Sequence, residues 1–485
     1  MNWAQDNPFA SAPFRVLSDD QAQAIHETSL QVLQHTGYHT PVLEARQLLQ
    51  DAGARLEGER AYIPPSLVEQ ALKTLRPVRL YDRLGQPTRL LEPGHVAFST
   101  IADTFYVLDP YSRSVRPFLK ADQGWLATVI DAMPGIEYVQ CVGQTRDVPD
   151  NLQSQVAVAQ TVRRTSKPIL VYPYDRAGLL DILDVLSAIA GSEAAFRSKP
   201  FLMCAAVPAA PLFGTAYSLE LLLTCAERGV PVLNYACPAI GGNSPASITG
   251  TLVLTNADWL ANLTIHQLKS PGAPFTTAGF TVQLMDMKST LWSYCAPETL
   301  LAYSAVADLA HWYAMPAFGL EMTCDIPHIN AQMGVEMMAQ CQRAYLSQVE
   351  MVHNAGIIGA GKLCAAEAVI LADEIIAYTR AATQAVSTSP EHLDESLRMI
   401  AEAGPMGEYV SHAHTLEHFR DFWYPRLFDR GRFDPVDEIQ RPGLEDRLNA
   451  RARQLIEQHK PIPLGEDLNA ELDAIETGWY ARSAT

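Results

Sequence analysis

PILVYPYDRAGLLDILDVLSAIAGSEAAFRSKPFLMCAAV, residues 168–207, contains the repeating unit that decides the fold. The stretch begins and ends with short apolar runs, PILVYPY and PFLMCAAV, and a helix-length segment separates them. Both runs are uniformly apolar rather than alternating, which is typical of strands buried on both faces. Two such strands joined by a helix form a parallel βαβ unit.

The same unit recurs between residues 95 and 356. Six further apolar runs lie there, namely HVAFST, EYVQCVG, VPVLNYA, PFTTAGF, AFGLEM and VEMVHNAG. Eight strand–helix units over about 260 residues predict an α/β protein with a closed (β/α)8 TIM barrel. A doubly wound open sheet is the alternative, although no GxGxxG motif follows the first strand.

The segments on both sides of the barrel have helical patterns. LSDDQAQAIHETSLQVLQHTG opens with a capping Ser-Asp-Asp and stops at a glycine, and HLDESLRMIAEAG and GLEDRLNARARQLIEQH are charged and periodic. We therefore predict a helical N-terminal cap (1–90), a barrel catalytic domain (91–380) and a helical C-terminal extension (381–485) that packs on the barrel.

Composition excludes several classes of protein. The chain of 485 residues is 48% hydrophobic and only 19% charged, as expected for a globular protein, and its net charge of −18 argues against nucleic-acid binding. Neither a signal peptide nor an apolar run of membrane-spanning length is evident. The 8 cysteines form no CxxC pair, so we expect reduced thiols and a cytoplasmic location.

Ligands of parallel barrels bind at the carboxyl ends of the strands, so the residues after each predicted strand are the candidates for the site. A carboxylate at the end of an apolar strand costs free energy unless it is paired, which favours a functional role for Glu321. Tyr172 and Tyr174 alternate along one strand, so at most one should face the lumen. For Asp147 the alternative to a functional role is a structural one, as a turn or helix-cap residue. We predict Glu321 and His353 as catalytic residues, and Asp103, Tyr106, Gln144, Asp147, Tyr172 and Tyr235 as substrate-binding residues.

The predicted rim is rich in tyrosine and carboxylate and poor in lysine. Aromatic faces with carboxylates favour a bulky organic cation, whereas a phosphorylated substrate would need a Gly-rich loop. HAHTLEH (412–418) places His414 and His418 at the i, i+4 spacing of zinc ligands, but it lies outside the barrel and lacks the HExxH order. We interpret it as a solvated or interface helix and predict no metal site.

Several motifs resemble those of the trimethylamine methyltransferase family. The clearest are GGNSPASITG (241–250), MDMKS (285–289), DIPHINAQMGVE (325–336) and HTLEHFRDFWYPRLFDR (414–430), and the resemblance extends over nearly the whole chain. It is closest to the branch that lacks pyrrolysine, which includes glycine betaine:corrinoid methyltransferases. Trimethylamine enzymes of the family carry pyrrolysine near the position of EMTCD (321–325), where this chain has ordinary residues.

The resemblance implies a barrel enzyme that moves a methyl group from a quaternary amine such as glycine betaine to the Co(I) of a corrinoid. The corrinoid is carried by a separate partner protein, so no tightly bound cofactor is expected in this chain, and we expect a homo-oligomer. Two alternatives stay open. One is a metal-assisted barrel lyase or hydrolase, and the other is a betaine-binding relative without catalysis.

Overall fold

A computed structural model describes residues 14–100, 103–141, 143–433 and 441–483 of the chain. Eight parallel strands form its centre, and each overlaps one of the eight apolar runs predicted from the sequence. They are β1 (Ala97–Thr100), β2 (Ile136–Gln140), β3 (Ile169–Val171), β4 (Leu202–Ala206), β5 (Val232–Asn234), β6 (Ala278–Gly279), β7 (Ala317–Glu321) and β8 (Met351–Ala355).

The strands follow the spatial order β5-β4-β3-β2-β1-β8-β7-β6. Val232 of β5 pairs in parallel with Phe275, just before β6, and thereby joins the two ends of the sheet. The Val232 amide donates to the Pro274 carbonyl at 3.0 Å, and the Thr276 amide donates to the Val232 carbonyl at 2.9 Å. The prediction of a (β/α)8 barrel is confirmed, and the open-sheet alternative is wrong.

One principal helix follows each barrel strand. Local signals set the ends of these helices. In the helix after β3 (Arg176–Ala190) the side chain of Asp175 accepts a hydrogen bond from the Gly178 amide, and Gly191 ends the helix in the left-handed conformation. The barrel helices are α4 (Lys120–Asp131), α5 (Gln153–Val162), α6 (Arg176–Ala190), α8 (Ala216–Arg228), α9 (Ile248–Lys269), α10 (Pro297–Trp312), α11 (Ala331–Leu346) and α12 (Ala366–Ala382), with the short α7 (Glu193–Ser198) before β4.

The interior of the barrel is a packed core that is closed at the amino end. Met203, Phe318 and Met351 fill the lumen, and Leu80 and Leu90 from the segment before β1 pack against them. That segment pairs with residues preceding β3 and β4. The lumen is therefore filled from the amino end, and we look for the site at the carboxyl end, where ligands of parallel barrels bind.

The N-terminal extension contains α1 (Asp19–Gln31), α2 (Leu43–Asp51) and α3 (Pro65–Thr74), with one π-helical turn at Val32–Thr36. It is less purely helical than predicted, because three very short strands form an antiparallel sheet with too few residues for a visible periodicity. These strands are Tyr38–His39, Arg55–Glu57 and Arg60–Tyr62.

The C-terminal extension contains α13 (Pro390–Ala403), α14 (Ala413–His418), α15 (Leu444–Gln458) and α16 (Glu466–Ser483). Helix α15 packs on α12 and α4, and α16 packs on α6. Helices α13 and α14 contain no buried residue. Among the described helices, none is both long and apolar enough to cross a lipid bilayer.

Short strands also occur in the loops at the carboxyl end of the barrel. A four-stranded sheet combines the loops after β1 and β8, and a three-stranded sheet combines the loops after β5 and β6. The four-stranded sheet consists of Tyr106–Leu108, Val115–Pro117, Ile357–Ile358 and Leu363–Cys364, and the three-stranded sheet of Ala239–Ile240, Gln283–Asp286 and Leu291–Ser293. A single 3-10 turn, Asp150–Leu152, precedes α5.

Candidate active site

Glu321 is the last residue of β7 and lies at the carboxyl end of the barrel. The pairing of β7 with β8 shifts register between Phe318 and Glu321. Gly319 occupies the shifted segment, where a Cβ atom would lie 2.9 Å from the ring of Tyr303. Glycine at this position therefore lets Tyr303 approach the strand and reach the carboxylate.

Three neutral side chains hold the Glu321 carboxylate, which is only 2% exposed. Gln283 Nε2 donates to Oε1 at 2.8 Å, the Tyr303 hydroxyl donates to the same oxygen at 3.3 Å, and Asn354 Nδ2 donates to Oε2 at 3.2 Å. Burial raises the pKa of Glu321 to about 7, although these hydrogen bonds oppose the shift. No lysine or arginine of the described chain forms an ion pair with it.

His353 lies opposite Glu321 on the neighbouring strand β8. Its Nε2 is 3.8 Å from Glu321 Oε1, which is too long for a hydrogen bond. Burial lowers the pKa of His353 to about 3, so the imidazole is neutral and the two side chains are not an ion pair.

Neither ring nitrogen of His353 has a hydrogen-bond partner among the described residues, although the side chain is 3% exposed. A buried imidazole without partners is costly. The ring packs against Phe318 with 4.7 Å between centroids, and against Tyr235 at 6.3 Å. His353 therefore presents unused hydrogen-bonding capacity inside an aromatic wall, as expected for a residue that contacts a ligand.

Tyr235 and Tyr172 extend this wall along the mouth of the barrel. The Tyr235 hydroxyl donates to the Tyr172 hydroxyl at 3.0 Å, and the latter donates to Gln140 Oε1 at 2.9 Å. The Tyr235 ring packs against Phe318 with 4.7 Å between centroids. The structure thus brings four of the predicted residues together: Glu321, His353, Tyr172 and Tyr235.

Only one of the two tyrosines after β3 belongs to the lumen, as predicted. Tyr172 packs on the luminal core, whereas Tyr174 points the other way and its hydroxyl donates to Gln153 Oε1 at 3.2 Å. Asp103 shares a small cavity with both tyrosines, and burial raises the pKa of Asp103 to about 6. Asp103 therefore adjoins the cluster from the side of β2 and β3.

The other three predicted residues do not join the cluster. Asp147 is exposed and accepts a hydrogen bond from the Lys120 amide at 2.8 Å, so it caps α4. This hydrogen bond supports the capping alternative for Asp147, and its substrate-binding role stays a prediction. Tyr106 is 43% exposed on a strand of the four-stranded sheet, and Gln144 is half-buried in a loop that its amide ties to the Thr104 carbonyl.

The mouth is more enclosed than a simple open rim. Gln283 reaches Glu321 from the loop after β6. In the same loop Tyr294 meets the loop after β8, where a Cβ atom on Gly361 would lie 2.9 Å from the Tyr294 hydroxyl oxygen. The residues that these two loops bring to the mouth contribute to the burial of the Glu321 carboxylate.

The polar residues after Glu321 brace the covering loops. The Asp325 carboxylate accepts hydrogen bonds from the Ser293 hydroxyl at 2.6 Å and from the Tyr294 amide at 2.9 Å. The Glu336 carboxylate accepts from the Asp325 amide at 3.0 Å. With Cys295 these two acids come close enough to surround a metal ion, but both carboxylates already have protein donors.

His414 and His418 lie side by side on α14, with 4.3 Å between ring centroids and Glu395 nearby. His418 Nδ1 also lies 2.8 Å from an Asp421 carboxylate oxygen. The group stands on partly exposed helices away from the barrel mouth, so it is not part of the candidate active site.

Comparisons with known proteins agree with this arrangement. The family model described as trimethylamine methyltransferase (MTTB) matches residues 5–477. The trimethylamine methyltransferase MttB of Desulfitobacterium hafniense is 26% identical over 466 residues, which cover 94% of this chain and 92% of that protein. A glycine betaine methyltransferase from another strain of that species is 26% identical over 467 residues, with coverage of 95% and 96%.

The monomethylamine methyltransferase MtmB of Methanosarcina barkeri, known from a crystal structure, has the same fold. It aligns with a TM-score of 0.53 and 10% identity, covering 93% of this chain and 89% of that one. With a matching family model over almost its whole length and a barrel whose mouth carries the cluster around Glu321, the chain belongs to the trimethylamine methyltransferase family and is a methyltransferase.

Proposed function

We propose that the protein moves a methyl group from a glycine betaine-like quaternary amine to the Co(I) of a corrinoid carried by a separate protein. The observation that carries the proposal is the buried carboxylate of Glu321, which has three neutral donors but no cationic partner within the described chain. A permanently charged ammonium group supplies the missing cation. The two curated relatives named for trimethylamine and glycine betaine are equally similar, so sequence identity alone does not choose the substrate.

The aromatic wall suits the methyl groups of such a cation. The Phe318 and Tyr235 rings pack against each other with 4.7 Å between centroids, and each cation–π contact with rings of this kind contributes about 0.5–2 kcal/mol. The unbonded nitrogens of His353 provide one hydrogen bond to the carboxylate end of a betaine through the N–H of the neutral imidazole.

The reaction requires little proton transfer by the protein. A quaternary ammonium releases a neutral amine when one N–CH3 bond breaks, and the bonding electron pair stays on nitrogen. The partner's corrinoid supplies the nucleophile that accepts the methyl group. The chain's own residues bind the cation, orient one N-methyl group towards the mouth and exclude water. Glu321 favours the charged substrate and becomes less important as the charge leaves the nitrogen, so it must not bind the cation too tightly.

We propose a cytoplasmic location and a homo-oligomeric state as well. All eight cysteines are free thiols, which suits a reducing compartment.

The function is tested by mixing the purified chain with its corrinoid protein in the Co(I) state and single methylated amines. We expect the Co(I) absorbance to be replaced by that of methyl-Co(III) with glycine betaine or a related quaternary amine, and not with trimethylamine. Transfer from trimethylamine alone, or betaine binding without methyl-Co(III), would contradict the proposal. Activity that needs a bound zinc or manganese ion would favour the metal-assisted alternative.

A further inference from the structure

The segment between α12 and α15 leaves the body of the protein. Residues 380–424 contain no buried residue, in contrast to every other stretch of similar length that the structure describes. The segment returns to α12 at Trp423, whose ring packs edge-on against Tyr378 at 5.4 Å, and at Arg426, which pairs with Asp373 at 2.7 Å. We call residues 385–422 the arm.

The arm carries large apolar side chains that stay largely exposed. Leu397 is 67% exposed on α13, and its neighbours at helical spacing are more than half exposed. Six large apolar residues of the arm are 45–75% exposed, namely Leu393, Leu397 and Ile400 on α13, and Leu416, Phe419 and Phe422 on and after α14.

An apolar stripe on an isolated helix needs a partner. Helices shorter than about 12–15 residues are marginal in water unless an amphipathic face packs, and α13 has 14 residues. Side chains of this kind each expose on the order of 100 Å², so the apolar surface of the arm approaches the roughly 800 Å² per subunit of a stable interface.

The position of the arm bears on which of two partners it binds, the corrinoid protein or a second copy of this chain. Barrel strands end at the mouth, and each following helix runs back towards the amino end, so α12 carries the chain away from the mouth before the arm begins. A corrinoid protein must place its cobalt at the mouth, above Glu321. The arm therefore begins on the side away from the cobalt site, a position that favours a second copy of this chain as its partner.

The stripe on α13 is suited to pairing with itself. Leu397 lies near the middle between Leu393 and Ile400, so antiparallel pairing about a two-fold axis sets Leu393 against Ile400 of the second copy. In the same register Asp394, which flanks the stripe, faces Met399 of the second copy rather than another carboxylate. We propose that the arm forms a two-fold interface in which α13 packs antiparallel on α13 of a second copy.

The test compares two leucines of similar exposure. Leu397→Glu places a charge in the proposed interface, and Leu43→Glu places one on α2, where Leu43 is 69% exposed. In size-exclusion chromatography with light scattering, we expect wild type and Leu43→Glu to share one mass and Leu397→Glu to have half of it. A wild-type protein with the mass of a single chain, or an unchanged mass for Leu397→Glu, overturns the proposal.

Cross-linking gives a readout that does not depend on a destabilising charge. Leu397→Cys should form a covalent dimer with a short bismaleimide, whereas Leu43→Cys and the wild-type protein should not. Equal dimer yields in the three proteins overturn the two-fold contact. So does an arm that is protected from proteolysis only when the corrinoid protein is added.

Discussion

The mouth of the barrel and the arm are incomplete in opposite ways. At the mouth, polar groups are buried without enough partners: the Glu321 carboxylate has no cation, and neither nitrogen of His353 has a hydrogen bond among the described residues. In the arm, apolar groups such as Leu397 are exposed without a core. Buried polar groups with unused hydrogen-bonding capacity suit a small charged ligand, whereas an exposed apolar stripe suits another protein surface.

The largest expected effect is at the mouth. Glu321→Gln keeps the shape of the side chain but removes its charge and replaces one acceptor oxygen with a donor NH2 group, so we expect kcat/KM for glycine betaine to fall on the order of 100-fold. Steady-state methylation of the corrinoid protein measures it. The matched control is Glu298→Gln, an exposed glutamate in the first turn of α10, which should change kcat/KM by less than about twofold. Equal losses in the two variants would remove Glu321 from the substrate site.

The same substitution should make the protein more stable, by an amount that depends on pH. Because burial raises the pKa of Glu321 from 4.5 to about 7, the folded state binds the proton more tightly than the unfolded state. The free energy of unfolding therefore falls as the pH rises from about 4.5 to about 7. Glu321→Gln should gain up to ~3 kcal/mol over wild type at pH 8 and almost nothing at pH 4.5. Thermal unfolding at both pH values tests this, and a gain that is equal at the two would contradict it.

Much of the contrast between the two regions could be predicted from the sequence, but not all. The eight strands were found because strands buried on both faces are uniformly apolar. The rule that ligands bind at strand ends selects Glu321 and His353, which the structure brings together. It also selects Asp147, which caps α4, because aspartate at the end of a strand is common in helix caps.

The remaining parts depend on tertiary contacts. Gln283 comes from a loop excursion and Tyr303 from a helix, and nothing in their local sequence shows that they reach Glu321. For Asn354 the sequence contains one indication of a place near Glu321, because this residue directly follows His353 at the end of β8. The helical pattern of residues 390–403 was visible, but periodicity does not reveal whether a helix packs on its own chain or on another.

A smaller effect tests how the mouth is built. Gly319→Ala places a methyl group 2.9 Å from the Tyr303 ring and should destabilise the protein by roughly 1–3 kcal/mol. It should also lower kcat/KM, because Tyr303 would lose its hydrogen bond to Glu321. Gly334→Ala on α11 is the control; nothing lies within 4 Å of its Cβ, and a gain of about 0.5–1 kcal/mol is expected. Chemical denaturation measures both, and a Gly319→Ala protein as stable as wild type would contradict the close approach.

The smallest effect concerns the arm. If self-association buries Leu397, the Tm of the wild-type protein should rise by a few degrees over a hundredfold increase in protein concentration. The Tm of Leu397→Glu should not change with concentration. A concentration-independent Tm in wild type would contradict the interface while leaving the account of the mouth intact.

The most direct test of the central claim, that an ionised Glu321 holds a quaternary cation, is the number of protons released when glycine betaine binds. Calorimetric titration in buffers of different ionisation enthalpy gives this number. Because the pKa of Glu321 is about 7 before binding, we expect the release to approach roughly one proton per betaine at pH 6 and to vanish near pH 8.5. In Glu321→Gln no proton should be released at either pH. Betaine binding without proton release at pH 6 in the wild-type protein would contradict the account.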